Sequence, residues 1–147
     1  MNNNNIQLEF AKIAGMLASR FSLSSTVGQI YGLLFMSPEP VSLNEMVEKL
    51  GISKGSASTN VRILESWGAV RKVWVDNTRK DYYEANFDIL SIVKSRLKEG
   101  IKKRVSNITE NISVIKNKIE TKDRQLELDM FYKKQLENIE EISERLK

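Results

Sequence analysis

One run of the chain leaves few folding options. SKGSASTNVRILESWG has a small polar start, apolar residues at helical spacing and a terminal glycine. After Ala69-Val70 comes RKVWV-DNTRK-DYYEA, two β-prone runs around a polar turn. Just upstream, Ser42-Leu-Asn-Glu45 forms a capping box in which each residue can satisfy the other's free amide. The helix it starts carries Leu43, Met46, Val47 and Leu50 inward, and Gly51 supplies the left-handed turn that ends it. Ser53 caps the next helix, which offers Ala57, Val61, Ile63 and Leu64 to a core.

Charge singles out the same run. Across residues 53–80, Lys54, Arg62, Arg71, Lys72, Arg79 and Lys80 oppose only Glu65 and Asp76, so six minus two gives +4. The chain as a whole has 23 cations and 19 anions, also +4, so the remaining residues balance at 17 of each sign. A polyanion met at this helix–hairpin unit is the simplest reading of that asymmetry. Helix, tight glycine turn, helix and hairpin, in that order, predict a mainly α (α+β) fold: a winged helix-turn-helix with a two-stranded β-wing.

The flanking segments are helical. Ile6, Phe10, Ile13, Ala14, Leu17 and Phe21 share one helix face, and Ser24 or Ser25 can cap a second helix through Ile30, Leu33, Leu34 and Phe35. Pro38 and Pro40 stop it. In the last third, Ile101, Val105, Ile108, Ile112, Ile115 and Ile119 alternate steps of four and three, the pattern of a coiled-coil seam. The all-polar segment 121–125 interrupts the phase before Leu128, Leu136, Ile139, Ile142 and Leu146 resume it. Two helices are expected, about 87–120 and 123–146, with a bend or hairpin between them. Long helices with an isoleucine seam must bury it, and a second copy of the chain is the partner that best fits. The expected organisation is a disordered 1–5, a winged-helix domain over 6–86 and a helical dimerisation region over 87–147. Phe10, Ile13 and Leu17 of the first helix are candidates to join the dimer interface.

Composition narrows the chemistry. The chain has no cysteine and no histidine, which removes thiol chemistry, the commonest general base and the usual metal ligand. No paired acidic motif, phosphate loop or nucleophile elbow is present, so no cofactor, no metal and no enzymatic activity are expected. No apolar run reaches the roughly 18–20 residues of a membrane span, and the asparagine-rich start is no export signal. A cytoplasmic protein without membrane contact is expected. Trp67, Trp74, Tyr82 and Tyr83 could frame a cation cage, but Trp67 and one tyrosine are better used to close the core under the hairpin.

A helix that enters a major groove needs small polar residues in its first turns and cations that reach phosphate or guanine. Ser53, Lys54, Gly55, Ser56, Ser58, Thr59, Asn60 and Arg62 meet that requirement. Of these, Ser56, Ser58, Thr59 and Asn60 are the candidates for base edges, and Lys54 and Arg62 for phosphates. Gly55 permits close backbone approach, and the helix N-terminus favours an anion. The turn carrying Thr78, Arg79 and Lys80 suits the adjacent minor groove, with Lys72 on the phosphate backbone at the hairpin base. The competing reading keeps the winged helix but makes it a protein-interaction scaffold without specific DNA binding.

At these residues the chain resembles a family. LGISKGSASTNVRILESWGAVRKVWVDNTRKDYYEA is similar to the winged-helix region of the GbsR-like branch of the MarR superfamily of transcriptional regulators. The shared pattern falls on Ile52 to Gly55, Ser58, Leu64, Gly68, Val70, Lys72-Val73 and Arg79 to Ala85. The likeness covers nearly all of the chain but is motif-rich only over residues 50–86. It implies a homodimer built by the terminal helices, with recognition helices and wings on the DNA. Symmetry then calls for a pseudo-palindromic double-stranded operator. A transcriptional regulator acting as a repressor is the expectation, although the sequence does not separate repressor from activator. The resemblance leaves room for a small-molecule effector but transfers no ligand site.

Overall fold

The computed structural model describes residues 3–120 and 126–147. Six helices and three short strands follow in the order α1 (Asn3–Arg20), α2 (Ser25–Phe35), β1 (Val41–Ser42), α3 (Leu43–Leu50), α4 (Lys54–Ser66), β2 (Val70–Val73), β3 (Tyr82–Ala85), α5 (Ile89–Glu120) and α6 (Leu126–Leu146). The chain divides into two compact units, Met1–Ile92 and Val93–Lys147. The division falls a few residues after the expected boundary at 86/87 because Ile92 still packs against the first unit's core. Residues 3–5 are helical, where disorder through residue 5 is expected from the asparagine run. The polar break at 121–125 lies outside the described residues.

Serine caps set the helix starts in the first unit. The Ser24 hydroxyl accepts from the Thr26 amide at 3.2 Å, Ser42 from Glu45 at 3.2 Å and Ser53 from Ser56 at 3.0 Å. Gly51 and Gly68 take φ values of +64° and +70°, the conformations that let α3 turn into α4 and α4 into β2. The core gathers Ile30, Leu33, Leu34, Met46, Val61 and Leu64, each 2% exposed or less.

The expected two-stranded wing is formed by β2 and β3. β1 joins it as a third strand, giving the antiparallel order β1-β3-β2, with Val41 opposite Tyr83 and Ser42 opposite Tyr82. Two residues are too few to show a period-two pattern, so this strand carries no sequence signal. Its effect is structural: it clamps the wing's inner strand to the start of α3.

α1 packs on α2 through its small residues. Its buried face is small, Ala11 and Ala18, pressed against α2 at backbone distance. Ile13, Leu17 and Phe21 point outward at 62%, 55% and 60% exposure. Phe10 is turned into the chain, stacking on Phe35 with ring centroids 5.7 Å apart, and Tyr31 and Phe87 complete that aromatic cluster.

The base of the hairpin is bolted to the helices by a short polar network. The Asn86 amides donate to Ala69 and Gly68 carbonyls at 2.8 and 3.1 Å, and the Tyr31 hydroxyl donates to the Asn86 carbonyl at 2.7 Å. Burial, and then the nearby Asp88 carboxylate, push Tyr31 from its ordinary 10.0 up to about 12. The fold thus holds this proton more tightly than the unfolded chain does. Stability from this group is complete below pH 10 and drains away as pH rises toward 12. Thermal melts across that window should fall less steeply for Tyr31→Phe than for the unchanged chain. Parallel curves would show that the hydroxyl contributes nothing there.

In the second unit, α5 and α6 are joined by Lys116, whose ammonium meets Glu137 at 3.9 Å and Glu140 at 3.6 Å. Val105 and Ile112, on the same face of α5 as Lys116, are each 7% exposed. The expected seam therefore splits. Val105 and Ile112 are buried within the single chain and Ile119 is half-buried. Leu97, Ile101, Ile108 and Ile115 form a neighbouring stripe that remains 46–50% exposed. Among the described residues no helix is long and apolar enough to cross a membrane.

Candidate nucleic-acid interface

α4 is held by its apolar side. Ala57, Val61 and Leu64 are buried, and the serine-capped first turn leaves the helix N-terminus uncovered. At helical spacing this presents Gly55, Thr59 and Arg62 along the outward face, with Ser53 and Lys54 exposed at its start. Ser56 and Ser58 are half-buried beside it, and the Ser58 hydroxyl lies 3.3 Å from the Arg62 guanidinium. A methyl group added at Gly55 would meet nothing within 4 Å. Glycine there is not required by packing in the single chain.

Asn60 is placed differently from the other candidates for base edges. It is 9% exposed, and its side-chain amide donates back to the Ser56 carbonyl at 2.8 Å. The same nitrogen lies 3.3 Å from the Ser56 hydroxyl. In this position the amide nitrogen is engaged by its own helix rather than presented for a bidentate pair with adenine. Its type fits the role, but its position is one step round the helix toward Val61 and Leu64.

The cations sort by partner. Lys72 pairs with Asp81 at 3.4 Å and sits 5.9 Å from the Tyr83 ring centre. Tyr83, and then Asp81, raise its affinity for the proton above the ordinary lysine value. Arg71 is bound by Glu84 directly across the sheet. Both carboxylates lie just beyond the residue 80 limit of the charge count, so that count overstates the free charge at the hairpin base. Exposed pairs of this kind are worth only about 0–1 kcal/mol, so a phosphate can compete with Asp81 for Lys72. Lys54, Arg62, Arg79 and Lys80 make no ion pair among the described residues. Of the cations on α4 and the hairpin, these four are left to meet a polyanion.

At the wing tip, Asn77 takes φ +63°, and the Thr78 hydroxyl accepts from the Lys80 amide at 3.1 Å. The turn is thereby closed with Arg79 and Lys80 exposed at its end. Trp67 packs against the core and Tyr83 is buried in it, which uses up two members of the possible aromatic cage. A second basic run, Lys94, Arg96, Lys98, Lys102, Lys103 and Arg104 on α5, is hidden in the overall charge balance because α6 is acidic.

Comparison with known proteins bears on this arrangement. The chain is 37% identical over 68 residues to a putative HTH-type transcriptional regulator, YvaV, of Bacillus subtilis, covering 46% of this chain and 38% of YvaV. It is 35% identical over 68 residues to the HTH-type transcriptional repressor GbsR of the same organism, covering 46% and 37%. The matched segment thus spans well under half of either relative. No family model matches the chain. Over nearly its whole length it is similar to a solved structure described as a transcriptional regulator, with a TM-score of 0.58, 20% identity, and coverage of 95% and 93%. At that identity the likeness establishes the fold alone. The fold is a winged helix-turn-helix, mainly helical with a small antiparallel sheet, and the sequence relatives are HTH-type transcriptional regulators.

Proposed function

We propose that this chain is a homodimeric, sequence-specific double-stranded DNA-binding regulator of transcription, acting as a repressor, of the GbsR-like branch of the MarR superfamily. The observation that carries the proposal is the placement of four unpaired cations, Lys54, Arg62, Arg79 and Lys80, on the uncovered face of α4 and the tip of the wing. Ser53 and Gly55 bring the helix N-terminus close to phosphate, Thr59, Ser56 and Ser58 face base edges, and Lys72 and Thr78 flank the backbone at the wing. The relatives' descriptions as regulators and repressors support the same reading. A gel shift with mixed-sequence duplex tests it. Binding should be strong near 50 mM salt and fall by orders of magnitude at about 200 mM. Salt-insensitive binding, or none, would reject it.

Two copies are required to read a pseudo-palindrome, with half-sites about 34–36 Å apart. The dimer surface proposed is the exposed stripe Ile101, Ile108 and Ile115, with Ile13 and Leu17 of α1 as further contacts. Val105, Ile112 and Phe10 act instead as intrachain packing. Ile108 is half-exposed in the single chain, so Ile108→Lys should leave each copy folded. Burying an unpaired ammonium at an interface is costly. Sedimentation should therefore show the dimer weakened by at least about tenfold, a shift of about 1.4 kcal/mol. An unchanged dissociation constant would move the interface elsewhere.

A further inference from the structure

One side chain of the wing has no work in the core and none in the cation set. Trp74 is 86% exposed, the most exposed of the large hydrophobic side chains among the described residues. Leaving so large an apolar surface in water forgoes the burial an indole usually gains. Trp74 follows directly on β2. Val70 stands opposite Ala85 and Lys72 opposite Tyr83, and Ala85 and Tyr83 are both buried. This is the face turned toward the core and α4, close enough for Glu65 to act on both Lys72 and Tyr83 and for Arg62 to act on Tyr83. Arg71 and Glu84 occupy the opposite face. Trp74 comes one residue after the last residue of β2, where the chain leaves the ladder for the turn that carries Arg79 and Lys80. There the indole lines a shallow cleft together with Thr78, Arg79 and Lys80.

We infer that Trp74 is a DNA-contacting residue of the wing: its ring lies against a deoxyribose at the edge of the minor groove beside Arg79, and its Nε1–H donates to a phosphate oxygen. The inference rests on the DNA-binding function already proposed. The chemistry matches on both counts. The indole nitrogen is a donor with no acceptor capacity, and the duplex edge offers apolar sugar faces between anionic acceptors. Lys72, Arg79 and Lys80 line the same cleft as the indole, with Asp81 the one carboxylate among the lining residues, so the net positive charge draws the same partner to it.

Trp67 and Trp74 are the two tryptophans of the chain, so indole emission can follow the contact. The full chain is titrated with a mixed-sequence duplex of about 30 base pairs near 50 mM salt, with binding read separately from the anisotropy of a label on the DNA. On binding, the unchanged chain should lose indole emission and acrylamide access, whereas Trp74→Phe should show little of either change. Trp74→Ala should bind about tenfold more weakly, with Trp74→Phe between it and the unchanged chain. Anisotropy that rises with emission, acrylamide access and Trp74→Ala affinity all unchanged would overturn the inference while leaving the DNA-binding function standing. So would an indole already shielded before DNA is added, which would assign Trp74 to a protein contact. Stronger quenching by a single strand than by the duplex would replace sugar-edge packing with base stacking. No rise in anisotropy with any duplex would remove the underlying function and this contact with it.

Discussion

Gly28→Ala is expected to destabilise the first unit by about 2 kcal/mol, even though alanine is the better helix former by about 1 kcal/mol. The reason is the closeness of α1 and α2. A β-carbon at residue 28 would stand 2.3 Å from the Ala14 carbonyl oxygen and 2.8 Å from the Ala18 methyl. A backbone oxygen cannot swing aside as the end of a flexible side chain can, so the helices must separate, and the loss of packing around them outweighs the gain in propensity. For a unit of this size the melting temperature should fall on the order of 10 °C. Gly55→Ala is the internal control. With nothing within 4 Å of the added methyl, it should hold or raise the melting temperature while weakening duplex binding, because only DNA needs that space. A Gly28→Ala chain as stable as the original would show that α1 and α2 do not pack at this distance.

The second large effect concerns the wing tip. Arg79 and Lys80 are exposed and free of ion pairs among the described residues, so removing both costs the fold almost nothing. For every phosphate that a cation no longer neutralises, the slope of log affinity against log salt falls by about 0.9. Arg79→Ala with Lys80→Ala should therefore lower the slope by about 1.8 for each wing on the duplex, and by about 3.6 for two. Near 0.1 M salt that corresponds to a loss of roughly 10- to 100-fold in affinity per wing. The loss should be nearly uniform across sequences, since phosphates carry no base identity. A slope that does not move would take the wing off the DNA. Lys72 offers a contrast, because Asp81 already neutralises part of its charge. Its removal should change the slope less than removal of Arg79.

Local signals made most of the first unit legible. Serine caps, glycine turns and apolar spacing fix α2, α3 and α4, and each of those signals acts over a few residues. What stayed hidden depends on tertiary neighbours. The two-residue β1 exists only because β3 passes beside it. The orientation of α1 could not be read from its large apolar residues, because its packing on α2 is made by Ala11, Ala18 and the glycines opposite them. Ile13 and Leu17 stay outward on the single chain, while Phe10 and the small residues of the helix turn inward. Asn60 shows the same limit at the candidate site. Its type suits adenine, but a single helical step places it inward against its own turn. The charge of residues 53–80 points to the proposed interface, yet Asp81 and Glu84 claim two of its cations through ion pairs. The isoleucine seam was legible as a seam. Its division into a buried row and an exposed row was not, since both rows obey one heptad pattern.

Everything proposed for function depends on two identical basic surfaces meeting one duplex. Selection of bound duplexes from a random pool by the full chain puts that to the test in a single experiment. Enrichment of one inverted-repeat site, with half-sites about one helical turn apart, is the expected result. Recovery of a lone half-site without a symmetric mate, or of no preferred duplex at all, would contradict it.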